Sequence, residues 1–120
     1  MTSLNQTAIQ YSAFENVDKS IFQRSARILQ SMWRVEQGFE MGRVSNRDRS
    51  RSIGSRLPMP WAQESLANYL TENIQNVVRS EVLDPVKSKG KLYGKPRIFN
   101  DLLSSQPLCF NLFGELTLDL

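Results

Sequence analysis

Two stretches of the sequence collect basic side chains that could bind phosphate. The first contains five arginines offset by Asp48 alone, and the second contains four lysines and one arginine with no acidic residue between them. A guanidinium binds phosphate oxygens in a bidentate manner, and each cation that neutralises a nucleic-acid phosphate releases a counterion. The candidate nucleic-acid contacts are Arg43, Arg47, Arg49, Arg51, Arg56, Lys87, Lys89, Lys91, Lys95 and Arg97.

The overall charge makes this signal modest. The chain has 15 basic and 12 acidic residues, a net charge of +3. All the basic residues lie in residues 1–97, whereas residues 98–120 carry three acidic residues and no basic one. Because charged surface loops are common, the residues alone leave open a second interpretation, in which both stretches are simply solvated.

The sequence lacks most of the residue types and motifs that enzymes use for catalysis. The chain has no histidine and one cysteine, Cys109, which excludes Ser-His-Asp and Cys-His nucleophiles, imidazole zinc sites and an internal disulfide. No acidic-x-Lys pattern of the kind that metal-dependent nucleases use is present, and Gly90-Lys91 lacks the rest of a phosphate-binding loop. Ser104-Ser105 has no histidine partner, although a Ser-Lys arrangement stays open. These residues predict a non-catalytic chain with a buried, unreactive Cys109.

The elements that must position the basic residues are predicted to be helices joined by loops. We expect a flexible arm over residues 1–17 and a single helical region over 18–120, with basic loops at 39–59 and 86–97. One helix is predicted from an N-cap at Asp18 to a C-terminal glycine, Gly38. Its apolar stripe is predicted to be Ile21, Phe22, Ala26, Leu29, Met32 and Trp33.

A second helix is predicted from Trp61 to Val82, and Pro85 ends it. Tyr93 in the lysine-rich loop could stack on a base or anchor the loop to the core, and the sequence does not decide between these roles. The apolar residues 108–116 could form a helix or a buried strand.

The apolar C-terminus favours either a chain truncated at 120 or a homodimer through residues 108–120, since exposed apolar patches promote association. No apolar run approaches the roughly 20 residues that span a bilayer, so no membrane association is expected. The N-terminus shows no secretion signal, and the single cysteine fits a reducing compartment, so we expect a cytoplasmic protein.

The C-terminal segment resembles a known family. The core of the match is Leu103-Ser104-Ser105-Gln106-Pro107-Leu108-Cys109-Phe110-Asn111-Leu112-Phe113, and 34–38 and 54–61 are similar to it too. The resemblance is to the N-terminal portion of a bacterial restriction-endonuclease-like family in the PD-(D/E)XK nuclease superfamily. It implies a mainly α chain that forms the helical N-terminal portion of a PD-(D/E)XK-type α/β fold, without the sheet and catalytic half.

The resemblance also bears on activity. It implies magnesium for a full-length member, but no cofactor in this chain and no metal site. No catalytic residue is carried over, except that Glu115 is the one candidate for the supporting glutamate that some superfamily nucleases place on a core helix.

Two functions follow as hypotheses. The first is a truncated member of this family that provides the scaffold and DNA-backbone contacts of a magnesium-dependent nuclease and is inactive alone. The alternative is a complete, small, basic module that binds nucleic acid or acts as an inhibitor, and that dimerises through its apolar C-terminus.

Overall fold

The chain divides into two units, Met1–Met59 and Pro60–Leu120. The structure is a computed structural model that describes residues 3–46 and 49–115, with only the backbone described at residues 45, 46, 49 and 50. The prediction of a mainly helical chain is confirmed, and a small two-stranded sheet, which the sequence analysis did not predict, is also present.

Helix α1, Leu4–Gln10, occupies the segment that the sequence predicts as a flexible arm. Its N-cap Ser3 and Gln6 form a capping box, in which each side chain bonds the other residue's backbone N–H, at 3.1 and 2.9 Å. Ala8 of this helix and Ala13 pack with Ile28 in a small apolar core. The segment therefore has local and tertiary reasons to be helical.

Helix α2, Ile21–Gln37, begins two residues later than predicted and ends where predicted. Its N-cap is Ser20, which forms a capping box with Gln23, rather than Asp18. Gly38 at its end adopts the left-handed conformation with φ 75°, which glycine reaches without steric strain.

The buried face of α2 combines Ile28 with polar side chains and differs from the predicted apolar stripe. Arg34 is only 7% exposed and Ser31 is buried, whereas Phe22 is 81% and Leu29 63% exposed. Met32 and Trp33 are partly buried. The helix turns this way because its arginines find partners: Arg34 donates to the carbonyls of Phe39 and Gly54 at 2.7 and 2.9 Å.

Strands β1, Gly42–Asn46, and β2, Arg49–Ile53, form an antiparallel hairpin inside the stretch predicted as the loop 39–59. The glycines that suggested a loop are points of close backbone approach instead. A Cβ at Gly42 would lie 2.2 Å from the Leu57 carbonyl oxygen, and one at Gly54 would lie 2.1 Å from that of Tyr11. Only glycine allows the chain to pass so close at either end of the hairpin.

The second predicted helix is two short helices in the structure, so the prediction of one continuous helix is wrong. Helix α3, Trp61–Ser65, ends at Leu66, which has φ 52°, and α4, Glu72–Val78, continues into a π-helical turn, Arg79–Leu83. Gln75 Nε2 donates to the carbonyls of Leu66 and Tyr69 at 3.3 and 3.2 Å, which satisfies the backbone where the helix is interrupted.

Two further helices complete the second unit: α5, Arg97–Asn100, and α6, Ser105–Phe113. The apolar segment that left helix and strand open is therefore helical as far as residue 113. The Tyr69 hydroxyl donates to the Ile98 carbonyl at 2.6 Å, and burial raises the pKa of Tyr69. The core of this unit includes Leu66, Tyr69, Ile74, Val78, Val82, Ile98, Phe99 and Pro107.

Replacing Arg34 with alanine is expected to lower the free energy of unfolding by about 2–3 kcal/mol, because two backbone carbonyls lose a charged donor. Urea denaturation measures this change. Glu36→Ala is the matched control, since Glu36 is exposed on the same helix. Equal stability of R34A and E36A would contradict the role assigned to Arg34.

Candidate nucleic-acid interface

The structure places the arginine stretch on and beside the hairpin rather than on an irregular loop. Arg43 is exposed on β1, and its Nη1 lies 3.4 Å from Ser52 Oγ on β2. Arg49 pairs with Asn46 in the ladder, and Arg56 follows the hairpin with partial burial. Arg47 lies outside the described residues. A two-stranded ribbon is an element that duplex grooves admit, so the hairpin is compatible with DNA contact.

Arg51 on β2 already has an internal partner. Its guanidinium forms a bidentate ion pair with Glu15, at 2.6 and 2.7 Å, and this contact raises the pKa of Arg51. The Glu15 side chain is largely covered whereas that of Arg51 is half-exposed. This pair ties β2 to the segment between α1 and α2, so Arg51 helps to orient the hairpin.

The lysine-rich stretch lies against the π-helical turn. Lys91 Nζ bonds a Glu81 carboxylate oxygen at 3.0 Å, and Lys87 Nζ bonds Ser80 Oγ at 2.9 Å. Hydrogen bonding to Lys91 lowers the pKa of Glu81, and hydrogen bonds from the backbone of Lys87 and Val86 lower that of Asp84. Two carboxylates therefore stand beside the start of this stretch and reduce its net charge.

The remaining cations of this stretch are more available. Lys89 and Lys95 are exposed, and no carboxylate of the described residues forms an ion pair with either. Arg97 forms an i,i+4 ion pair with Asp101 at 3.2 Å and stays largely exposed. Lys89 and Lys95 are thus the two lysines of this stretch that most directly offer positive charge to a ligand.

The stretch is attached to helix α6. Gln106 accepts from the Gly94 backbone N–H at 2.7 Å and donates to the Leu92 carbonyl at 2.9 Å. Tyr93 lies between Leu92 and Gly94 in the chain, and its ring centroid is 6.4 Å from that of Phe110. The contact with Phe110 favours the anchoring role of Tyr93.

A cavity of about 500 Å³ lies between α4 with its π-helical turn and α6, and the sequence analysis did not predict it. Residues at spacings of three and four on each helix form its walls, which is the one signal in the sequence that could have identified it. Cys109 lines this cavity and is exposed, so the prediction of a buried thiol is wrong. The lining residues are Asn73, Asn76, Val77, Ser80, Glu81, Cys109, Phe110, Phe113 and Gly114.

Glu115, the weak catalytic candidate, has both carboxylate oxygens engaged. One accepts a hydrogen bond from the Thr71 hydroxyl, and the other accepts from Asn73 Nδ2 at 3.2 Å. Thr71 is the N-cap of α4, so this carboxylate lies against the start of that helix. In the part of the chain that the structure describes, no group of three His, Cys, Asp or Glu side chains is placed to hold a metal ion.

Comparison with known proteins identifies the family. Among residues 3–46 and 49–115, no helix combines the length and apolar character needed to cross a membrane. No curated protein and no solved structure matches the sequence. One family model does match, and it covers residues 16–120, which is most of the chain. The chain therefore belongs to the PD-(D/E)XK nuclease superfamily.

Proposed function

We propose that this chain provides scaffold and DNA-backbone contacts for a magnesium-dependent DNA nuclease and does not cleave DNA by itself. The observation that carries the proposal is family membership combined with two exposed basic segments, each fixed by the fold. Arg51 and Glu15 tie the hairpin to its unit, and Gln106 ties the lysine-rich stretch to α6. Cations held in place in this way contribute sequence-independent affinity for a phosphate backbone.

The described residues do not fit a catalytic magnesium ion. Magnesium in nucleases takes carboxylate oxygens that converge from several positions, and among the described residues no group of three His, Cys, Asp or Glu side chains converges in this way. Glu115 accepts hydrogen bonds from Thr71 and Asn73 instead. No step of the proposal is therefore assigned to a metal held by these residues. A cytoplasmic location, which the single cysteine favours, is part of the same proposal.

A double variant tests the backbone contacts. Replacing Lys89 and Lys95 with alanine is expected to weaken DNA binding and to lower the slope of log affinity against log salt by about 2, since each phosphate contact contributes roughly 0.9. The melting temperature should stay unchanged, because exposed charges contribute little to stability. Fluorescence anisotropy with a labelled duplex over a salt series measures the slope.

Lys19→Ala is the control for that experiment, because Lys19 is also exposed but lies outside both basic stretches. Its slope should equal that of the wild type. If the double variant keeps the wild-type slope, the lysine-rich stretch does not contact the backbone.

Incubating the purified chain with supercoiled plasmid and magnesium tests the second part of the proposal. We expect no nicked or linear product above the level seen with EDTA, since no acidic-x-Lys pattern is present in the sequence. Agarose gel electrophoresis gives the readout. Nicking that magnesium supports and EDTA abolishes would disprove the inactivity of this chain.

The alternative function, a small binding module that dimerises through residues 108–120, is favoured by one feature of α6. Leu108 and Leu112 lie four residues apart on this helix and are 57% and 61% exposed. Such a pair is the kind of apolar contact that a symmetric dimer buries twice.

Leu112→Glu is expected to shift a dimer to monomer in sedimentation velocity, because it places a charge in the proposed interface. Leu92→Glu is the control, since Leu92 is 94% exposed in the lysine-rich stretch. A wild-type chain that sediments as a monomer at high concentration would rule out the dimer.

A further inference from the structure

We propose that the cavity between α4 with its π-helical turn and α6 binds an unpaired nucleobase, with the attached phosphate held by the lysine-rich stretch. This inference rests on the proposed nucleic-acid function and assigns a second type of contact to it. The cavity volume of about 500 Å³ falls within the range of ordinary small-ligand sites.

The walls of the cavity suit a flat aromatic ring. Phe110 and Phe113 come from α6, and Val77 faces them from α4. Phe110 also packs against two other rings, with centroid distances of 6.0 Å to Tyr69 and 6.4 Å to Tyr93. Phe113 is 56% exposed, so its ring is free to cover a ligand. Aromatic side chains of this kind stack on any nucleobase.

Two asparagines at the rim offer complementary hydrogen-bonding groups. Asn73 donates through its amide nitrogen to Glu115, at 3.2 Å, which leaves its side-chain carbonyl oxygen available. Asn76 accepts through its carbonyl oxygen from Arg79, at 2.8 Å, which leaves its amide nitrogen available. One acceptor and one donor are therefore available on α4, and these are the two types of group that bond the edge of a base such as adenine.

The rim also brings positive charge to the place where a phosphate would lie. Ser80 and Glu81 line the cavity and bond Lys87 and Lys91 of the lysine-rich stretch. Arg79 reaches the rim through Asn76. Lys87 and Lys91 therefore lie beside the cavity, each bonded to a residue that lines it, while Glu81 is the one charged side chain among the lining residues. Because the ion pair of Lys91 with Glu81 is exposed, a phosphate can take the place of the carboxylate beside the two lysines, which favours a nucleotide over an apolar ligand.

Alkylation of Cys109 by N-ethylmaleimide provides the test, because Cys109 lines the cavity and is the single thiol of the chain. Adenosine 5′-monophosphate should slow the alkylation of the full chain, whereas ribose 5-phosphate should not. The protection constant should weaken about tenfold in Phe113→Ala, the loss expected for one stacking contact. Phe22→Ala should match the wild type, since Phe22 is an exposed phenylalanine on α2 that does not line the cavity.

Three outcomes would overturn the inference. Equal protection by both compounds would mean that only the lysines bind the phosphate. No protection by either would mean that the cavity takes no base. Protection that rises with protein concentration in the absence of nucleotide would mean that a second copy of the chain covers the cavity.

A parallel titration separates this inference from the proposed function. If the chain binds duplex DNA with a salt-dependent affinity while Cys109 reacts unhindered, the backbone contacts stand and the base site fails. If adenosine 5′-monophosphate protects Cys109 while the duplex does not bind, the base site stands and the duplex contacts fail.

Discussion

The first unit depends on the buried guanidinium of Arg34. Phe39 precedes β1 and Gly54 follows β2, and the carbonyls of both accept from this one side chain. Burial lowers the pKa of Arg34, but a guanidinium starts so far above neutrality that it stays charged. Its charge is compensated by two backbone dipoles, and the entry and exit of the hairpin are thereby fixed to α2 together.

In the second unit, side-chain amides bond the backbone in the way that Arg34 does in the first. Asn111 on α6 accepts from the Leu70 backbone N–H and donates to the Asn68 carbonyl, at 3.0 Å each. Gln75 bonds the backbone between α3 and α4, and Gln106 bonds the backbone of the lysine-rich stretch. Short helices leave many backbone groups without helical partners, and these amides satisfy them. Hydrogen bonds from these side chains therefore hold the turns between the short helices, although the apolar cores are small.

The sequence revealed the parts of the fold that local chemistry decides. The Gly38 end of α2 follows from glycine's access to the left-handed conformation, and the basic residues were visible from composition. The break at Leu66 and the burial of Ser31 and Arg34 on α2 could not be predicted from the sequence. An apolar stripe continues through residues 61–82 whether or not distant side chains such as Asn111 hold the intervening backbone. Likewise, sequence reasoning places an arginine such as Arg34 on the surface, because arginine is mostly exposed unless it has a partner, and the partner carbonyls are known only from the structure.

The candidate site could also be predicted only in part. The two basic stretches were found from charge alone, but charge did not reveal the ribbon geometry of the first or the cavity beside the second. The sequence predicts a loop where the two strands pair, because a stretch rich in glycine, serine and arginine shows no strand preference of its own. The pairing depends on contacts with the rest of the unit. The cavity depends on which faces of α4 and α6 meet, and that depends on the break at Leu66.

The ion pairs within the chain differ in how strongly they prevent a basic side chain from binding nucleic acid. The Lys91 and Glu81 side chains are 45% and 37% exposed, so their ion pair contributes little and a phosphate can replace the carboxylate with small loss. The pair of Arg51 with Glu15 differs, because the Glu15 side chain is only 10% exposed and would lose its partner in a largely covered position. Arg51 therefore acts on the hairpin's position, while Lys91 and its neighbours remain able to exchange one anion for another. A basic residue whose carboxylate partner is exposed can therefore bind a ligand, whereas one whose partner is covered holds the fold. The presence of a partner alone does not separate the two cases.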